Sequence, residues 1–167
     1  MNTPRQYRTH PEFDLPPVQG GATRRYLICS TPRSGSTLLA RLIETTGRMG
    51  VPYEYLNMQV HAKPMAERLG VPPMPPGPYL QAVERVRTTP NGVFGLKAHF
   101  HQIGPLLARP AIAQLMATAT LVWIRRRDLL GQSISYFRAT KTRVWSVTAD
   151  AAAPPPVEFS YEASAGQ

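Results

Sequence analysis

The chain has a single cysteine, only three lysines among its 19 basic residues, and no apolar run near the ~20 residues that cross a bilayer. With one thiol, Cys29, no internal disulfide can form. Its neighbours Leu27 and Ile28 mark it as a small buried hydrophobe, and a reducing compartment is the expectation. Met1 to Leu15 is polar and proline-bearing and lacks the apolar centre of a secretory signal, so the sequence reads as cytoplasmic with no transmembrane segment. Acids are scarce, 10 in 167 residues. No His/Cys/Asp/Glu spacing resembles a metal cage, so no metal is expected; His99 and His101 read as polar residues flanking a strand end in preference to ligands.

What is present is arginine, 16 residues against three lysines, in a chain of net charge +9. Guanidinium favours planar, bidentate partners such as phosphate or sulfate. Basic residues are scattered except at Arg24-Arg25 and Arg125-Arg126-Arg127, with no basic helix and no aromatic–basic alternation, so nucleic acid is not the expected partner. A 43% apolar content in 167 residues is enough for one domain with a core.

Residues 1–23, rich in Pro, Gly and charge, read as a flexible lead-in. Tyr26-Leu-Ile-Cys-Ser30 is a short apolar strand, followed by a turn at Thr31-Pro-Arg-Ser-Gly-Ser-Thr37 and a helix carrying Leu38, Leu39, Leu42 and Ile43. Val51 to Leu56 reads as a loop and Val60 to Leu69 as a helix. Gly70 to Pro78 is too proline-dense for either element. Tyr79 to Thr88 is a short amphipathic helix, and Val93 to Ala98 a second strand behind the Pro90-Asn-Gly92 turn. Ile103 to Met116 reads as a helix interrupted at Pro110. Thr120 to Ile124 reads as a third, buried strand, and Leu129 to Thr142 as a helix. Residues 147–167 form an irregular tail with little to bury. The alternation predicts an α/β fold, a parallel sheet flanked by helices on both faces, with ligands collecting beyond the carboxyl ends of the strands. The domain spans 24–146.

Two segments at such strand ends carry anion chemistry. In the first, a strand-to-helix turn leaves the opening N–H groups of the helix unpaired, so Ser34, Gly35, Ser36 and Thr37 can wrap an anionic oxygen cluster with Arg33 poised above it. The alternative is that Ser, Gly and Pro simply make a turn. The kinase pattern G-x-x-x-x-G-K-[ST] is not met, because Ser30 and Ser36 stand where its first Gly and its Lys belong. In the second, Asp128 caps the helix that follows Arg125 to Arg127, and Gln132 and Ser135 lie on one helix face. A solvated basic corner with a capping Asp is the alternative there.

Ser30-Thr-Pro-Arg-Ser-Gly-Ser-Thr-Leu-Leu39 resembles the 5'-phosphosulfate loop of sulfotransferases that use 3'-phosphoadenosine-5'-phosphosulfate (PAPS). Gly50-Val-Pro-Tyr-Glu-Tyr-Leu56, Thr89 to Lys97, Arg126 to Ser135, Arg138-Ala139 and Thr142-Arg-Val-Trp145 extend the likeness to the bacterial trehalose 2-sulfotransferase family, from about Tyr26 to Trp145. The resemblance implies a P-loop-like sheet and no metal. It also implies a sulfuryl donor, PAPS, and a carbohydrate or glycolipid acceptor. A homodimer is carried as the assembly expectation. Arg33, Ser34, Gly35, Ser36 and Thr37 would hold the 5'-phosphosulfate, and Arg126 with Ser135 the 3'-phosphate, with Arg125 or Ser133 open to sharing that task. Arg33 would also be catalytic. Glu54 would be the general base, taking the proton of a sugar hydroxyl as its oxygen attacks sulfur; without the resemblance it reads as an ordinary loop carboxylate. Tyr53 and Tyr55 either stack on a sugar ring or pack. Family members continue past the point where this chain stops, so the expected fold has its C-terminal part missing.

Two other functions fit parts of the sequence. A P-loop nucleotide kinase needs a loop Lys and a Mg²⁺-holding Asp, and the loop Lys is missing; Lys97, beside a strand end, has no spacing to support that role. An inactive, shortened anion- or nucleic-acid-binding homologue is argued only by the +9 charge.

Overall fold

The computed structural model describes residues 8–145 and Val157. Its centre is a parallel sheet of three strands, β1 (Arg24–Ser30), β2 (Val93–His99) and β3 (Thr120–Ile124), in the order β2-β1-β3. The register sets Ser30 level with His99 on one side and with Ile124 on the other, so all three strands finish together. The chain leaves β1 for a neighbour on one side and later returns to the other, which makes the carboxyl end of β1 the switch point of the sheet.

Side-chain alternation along β1 builds two cores. Leu27 points into a large cluster with Leu96, Tyr79, Val83 and Ile112, while Tyr26 and Ile28 point the other way, against Ala40, Leu39 and Ile43. The helices sort accordingly. Helix α1 (Ser36–Thr45) covers the Tyr26–Ile28 face; α2 (Ala62–Leu69), α3 (Pro76–Arg87) and α5 (Pro110–Thr118) cover the other. A single turn, α4 (Phe100–Ile103), follows β2, and α6 (Leu129–Thr142) follows β3. The expected α/β architecture with helices on both faces is what the strands and helices form.

Close approach explains one glycine. Gly95 pairs with Tyr26, and a Cβ at Gly95 would fall on the Tyr26 ring, whose hydroxyl donates to Met49 O at 2.7 Å. Only a hydrogen at that position lets the ring lie flat across the sheet.

Three expectations need correction. The third strand is not buried: Leu121, Val122 and Trp123 are exposed, Trp123 at 75%, whereas β2 at the opposite edge is buried throughout. The proline-rich 70–78 stretch is partly helical, since α3 begins at Pro76, where a missing N–H costs nothing in the first turn. The 103–116 helix is two pieces, α4 with a 3-10 turn at Gly104–Leu106, and then α5 with Pro110 at its first position.

Of the lead-in, residues from Arg8 onward are described. Arg87, fully buried, ion-pairs with Asp14 and donates to Arg8 O at 2.7 Å and His10 O at 3.0 Å. Apart from Val157, the 147–167 tail lies outside the described residues. Among the described residues no helix is long and apolar enough to cross a membrane.

Candidate active site

The turn between β1 and α1 is left-handed at two residues. Arg33 has φ 63° and Gly35 φ 92°. For an arginine this region costs on the order of 1–2 kcal/mol, and the surrounding bonds hold it there. Arg33 Nε donates to Ser135 Oγ at 2.8 Å, and its Nη1 donates to Trp145 O. Gln132, one turn earlier on α6, donates to Thr31 Oγ1 at 2.8 Å and to Pro32 O at 2.7 Å. Two segments read separately in the sequence are thereby brought against each other, and the contact face on α6 is the Gln132–Ser135 face expected.

Gly35 caps α1 without a side-chain hydrogen bond, leaving the opening amides of the helix to an outside acceptor. Ser36 is buried in the first turn and Thr37 is exposed. Ser34 is 9% exposed, and its Oγ, fully buried, finds no hydrogen-bond partner among the described residues. A buried hydroxyl left so costs about 1–3 kcal/mol, and an anionic oxygen would satisfy it.

Arg126 does not join this group. Its Nη2 lies 3.2 Å from Asp128 on its own segment, with the side chain 40% exposed. Asp128 caps α6 as expected, accepting from Gly131 N at 2.8 Å.

Glu54 sits on a segment that runs alongside β2. Tyr53 pairs with Leu96, and Lys97 N donates to Tyr53 O at 3.1 Å. Alternation then turns Tyr53 and Tyr55 toward the larger core and leaves Glu54 beside Lys97 and His99, the strand residues of the α1 face. Tyr55 is fully buried, with its hydroxyl on Val51 O at 2.7 Å, and so is unable to stack on a ligand. Tyr53 packs edge-on against Tyr55 and lies 4.6 Å from the His61 ring.

The carboxylate is enclosed by donors. Lys97 Nζ lies 2.7 Å from Glu54 Oε1, Gln102 Nε2 donates to Oε2 at 2.6 Å, and Asn57 Nδ2 reaches Oε2 at 3.4 Å. Gln102 is itself fixed, accepting from His99 N at 3.0 Å. Burial alone would push the Glu54 carboxyl up, but His99 and the Lys97 ammonium overcome it and hold the group well below the usual carboxylate range. Since His99 Nε2 stands 3.5 Å away, long for a hydrogen bond, Lys97 is the stronger partner on geometry. His99 turns its Nδ1 to Ser30, 3.0 Å from Oγ and 3.1 Å from the carbonyl.

Lys97 ties Glu54 to the loop. With its side chain 2% exposed, its Nζ also donates to Thr37 Oγ1 at 2.9 Å. Sequence spacing gave Lys97 no role and read His99 as an ordinary polar residue. The signal available was their i, i+2 placement on a strand of the α1 face, which orients both toward the loop.

The family model described as Stf0 sulphotransferase matches residues 25–164. Trehalose 2-sulfotransferase of Mycobacterium tuberculosis (strain ATCC 35801 / TMC 107 / Erdman) is 31% identical, over 74% of this chain and 60% of that protein. Trehalose 2-sulfotransferase of Mycolicibacterium smegmatis (strain ATCC 700084 / mc(2)155) is 30% identical, over 72% of this chain and 58% of that protein. The chain thus spans about three fifths of the length of the curated relatives it matches.

Proposed function

Because the chain belongs to the Stf0 sulphotransferase family, we propose that it transfers a sulfuryl group from PAPS to a carbohydrate hydroxyl. The acceptor is trehalose or the sugar of a glycolipid or lipopolysaccharide. Both relatives are named for trehalose, which makes it the first acceptor to test. Cytoplasmic residence and a homodimer belong to the same reading.

The observation that carries the proposal is the link from Thr37 through the buried Lys97 to Glu54, which joins a strand-to-helix anion loop to a carboxylate. The unpartnered Ser34 hydroxyl supports an anionic ligand in that loop. In this reading Arg33, Ser34, Gly35, Ser36 and Thr37 receive the 5'-phosphosulfate, and Ser135 the 3'-phosphate, joined by Arg126 once it exchanges Asp128 for the ligand. The donor supplies the sulfuryl group. Glu54 takes the proton of the acceptor hydroxyl as its oxygen bonds to sulfur and the sulfur–phosphate oxygen bond breaks. Arg33 and the α1 amides stabilise the charge left on that phosphate oxygen.

Thermal unfolding in the presence of adenosine 3',5'-bisphosphate, compared with ATP and Mg²⁺, tests the reading, because a ligand that binds only folded protein raises the melting temperature. The bisphosphate is expected to stabilise. Stabilisation by ATP and Mg²⁺ alone would favour a nucleotide kinase and sink the proposal.

A further inference from the structure

A general base works best with a pKa near the operating pH. Glu54, held by Lys97 at 2.7 Å and Gln102 at 2.6 Å, is a stable carboxylate and therefore a poor proton acceptor. The remedy is visible in the other partner of Lys97. Its ammonium is buried and touches Thr37 Oγ1 as well as Glu54, so the one cation serves both the anion loop and the base.

We infer that Lys97 gates the base: an anion seated at Thr37 competes with Glu54 for the same ammonium, so donor binding loosens the hold on Glu54 and frees it to accept a proton. This rests on the sulfotransferase reading above and adds to it the order in which the site becomes competent. Lys97 is here a positioning residue. An ammonium in a low-dielectric pocket cannot hold two anions as tightly as one, and a multiply charged phosphosulfate is the stronger claimant. The other groups facing Glu54 are fixed from elsewhere: His99 is held by Ser30, Gln102 by the backbone of His99, and His61 lies beside Tyr53. Of these bonds that of His99 ends at Ser30, before the turn, and none reaches Thr37. Lys97 bonds both Glu54 and Thr37, the residue that opens α1 beside Ser36.

Competition for one cation is reciprocal: if the anion weakens the Lys97–Glu54 pair, then removing the charge of Glu54 must strengthen anion binding. Calorimetric titration of the full chain with adenosine 3',5'-bisphosphate measures this. Glu54→Gln is expected to tighten binding about fivefold or more. In a Lys97→Met background the same change is expected to alter the Kd by less than about twofold, the range of independent sites. Equal tightening in both backgrounds would mean that the two charges repel through space without Lys97, and would overturn the inference, as would unchanged binding in Glu54→Gln. Lys97→Gln, which keeps an amide for Thr37 and Glu54, replaces Lys97→Met if the latter does not fold. Should the unaltered chain fail to bind the bisphosphate at all, the sulfotransferase reading falls and takes the gate with it. Binding without coupling removes the gate alone.

Discussion

Arg33 Nε donates to Ser135 Oγ at 2.8 Å, across 102 positions of sequence. This bond, with the two from Gln132 to Thr31 and Pro32, fastens the first turn of the fold to the last described helix. It also holds a left-handed arginine in one orientation. Ser135→Ala removes the acceptor, and binding of adenosine 3',5'-bisphosphate is expected to weaken about tenfold, the loss of one hydrogen bond to a charged group. An unchanged Kd in calorimetry would take Ser135 out of the binding site.

Glu54→Gln keeps the shape of the side chain and its contacts with Gln102 while removing the base. Sulfuryl transfer is expected to fall by about 10²–10⁴-fold with the bisphosphate still bound. A radiolabel-transfer assay measures turnover beside the binding titration. Undiminished turnover would strike Glu54 from the catalytic list.

The depressed carboxyl of Glu54 also makes stability depend on pH. Between its lowered folded value and its unfolded value of about 4.3, the unfolded chain binds more protons, so stability rises with pH there. The contribution of the pair is complete above that window and is lost as pH falls through it. Urea unfolding is expected to show Glu54→Gln less stable than the unaltered chain at pH 7, by about 1–3 kcal/mol. The gap should shrink below about pH 4. A gap that stays constant to pH 3 would contradict the ion pair with Lys97.

Gly95→Ala places a methyl group where the Tyr26 ring lies. Overpacking of this kind costs about 1–3 kcal/mol, and scanning calorimetry should record a lower Tm. An unchanged Tm would mean that the ring moves freely.

Much of this was legible in the sequence because short-range rules carried it. The alternation of Tyr26, Leu27 and Ile28 places a strand, Gly35 marks the turn behind it, and Asp128 announces the helix that it caps. Thr120–Ile124 and Leu129–Thr142 appear with the limits expected. What was not legible depends on partners far away in the chain. Lys97 matters because Tyr53 pairs with Leu96 and so brings Glu54 alongside, and nothing local to Lys97 foretells that pairing. Trp123 is as apolar as a core residue, yet it is exposed, whereas the other edge strand, β2, is buried throughout. Tyr55 sits in a loop, where aromatics meet ligands, but its neighbours enclose it. Pro76 marks the start of a helix in place of a break, since only position within the first turn distinguishes the two.

The buried Arg87 has a consequence for how the chain can be cut. Beside Val86 O on its own helix, its acceptors are Arg8, His10 and Asp14 from upstream of β1, so these residues act as a stopper driven in beside the end of α3. Trimming the gene to begin at the first strand would strand a guanidinium in the interior, a loss of about 3–5 kcal/mol, enough to unfold many domains of this size. Expression tags belong ahead of Arg8, and a protease that nicks between Asp14 and Arg24 should leave the severed piece attached.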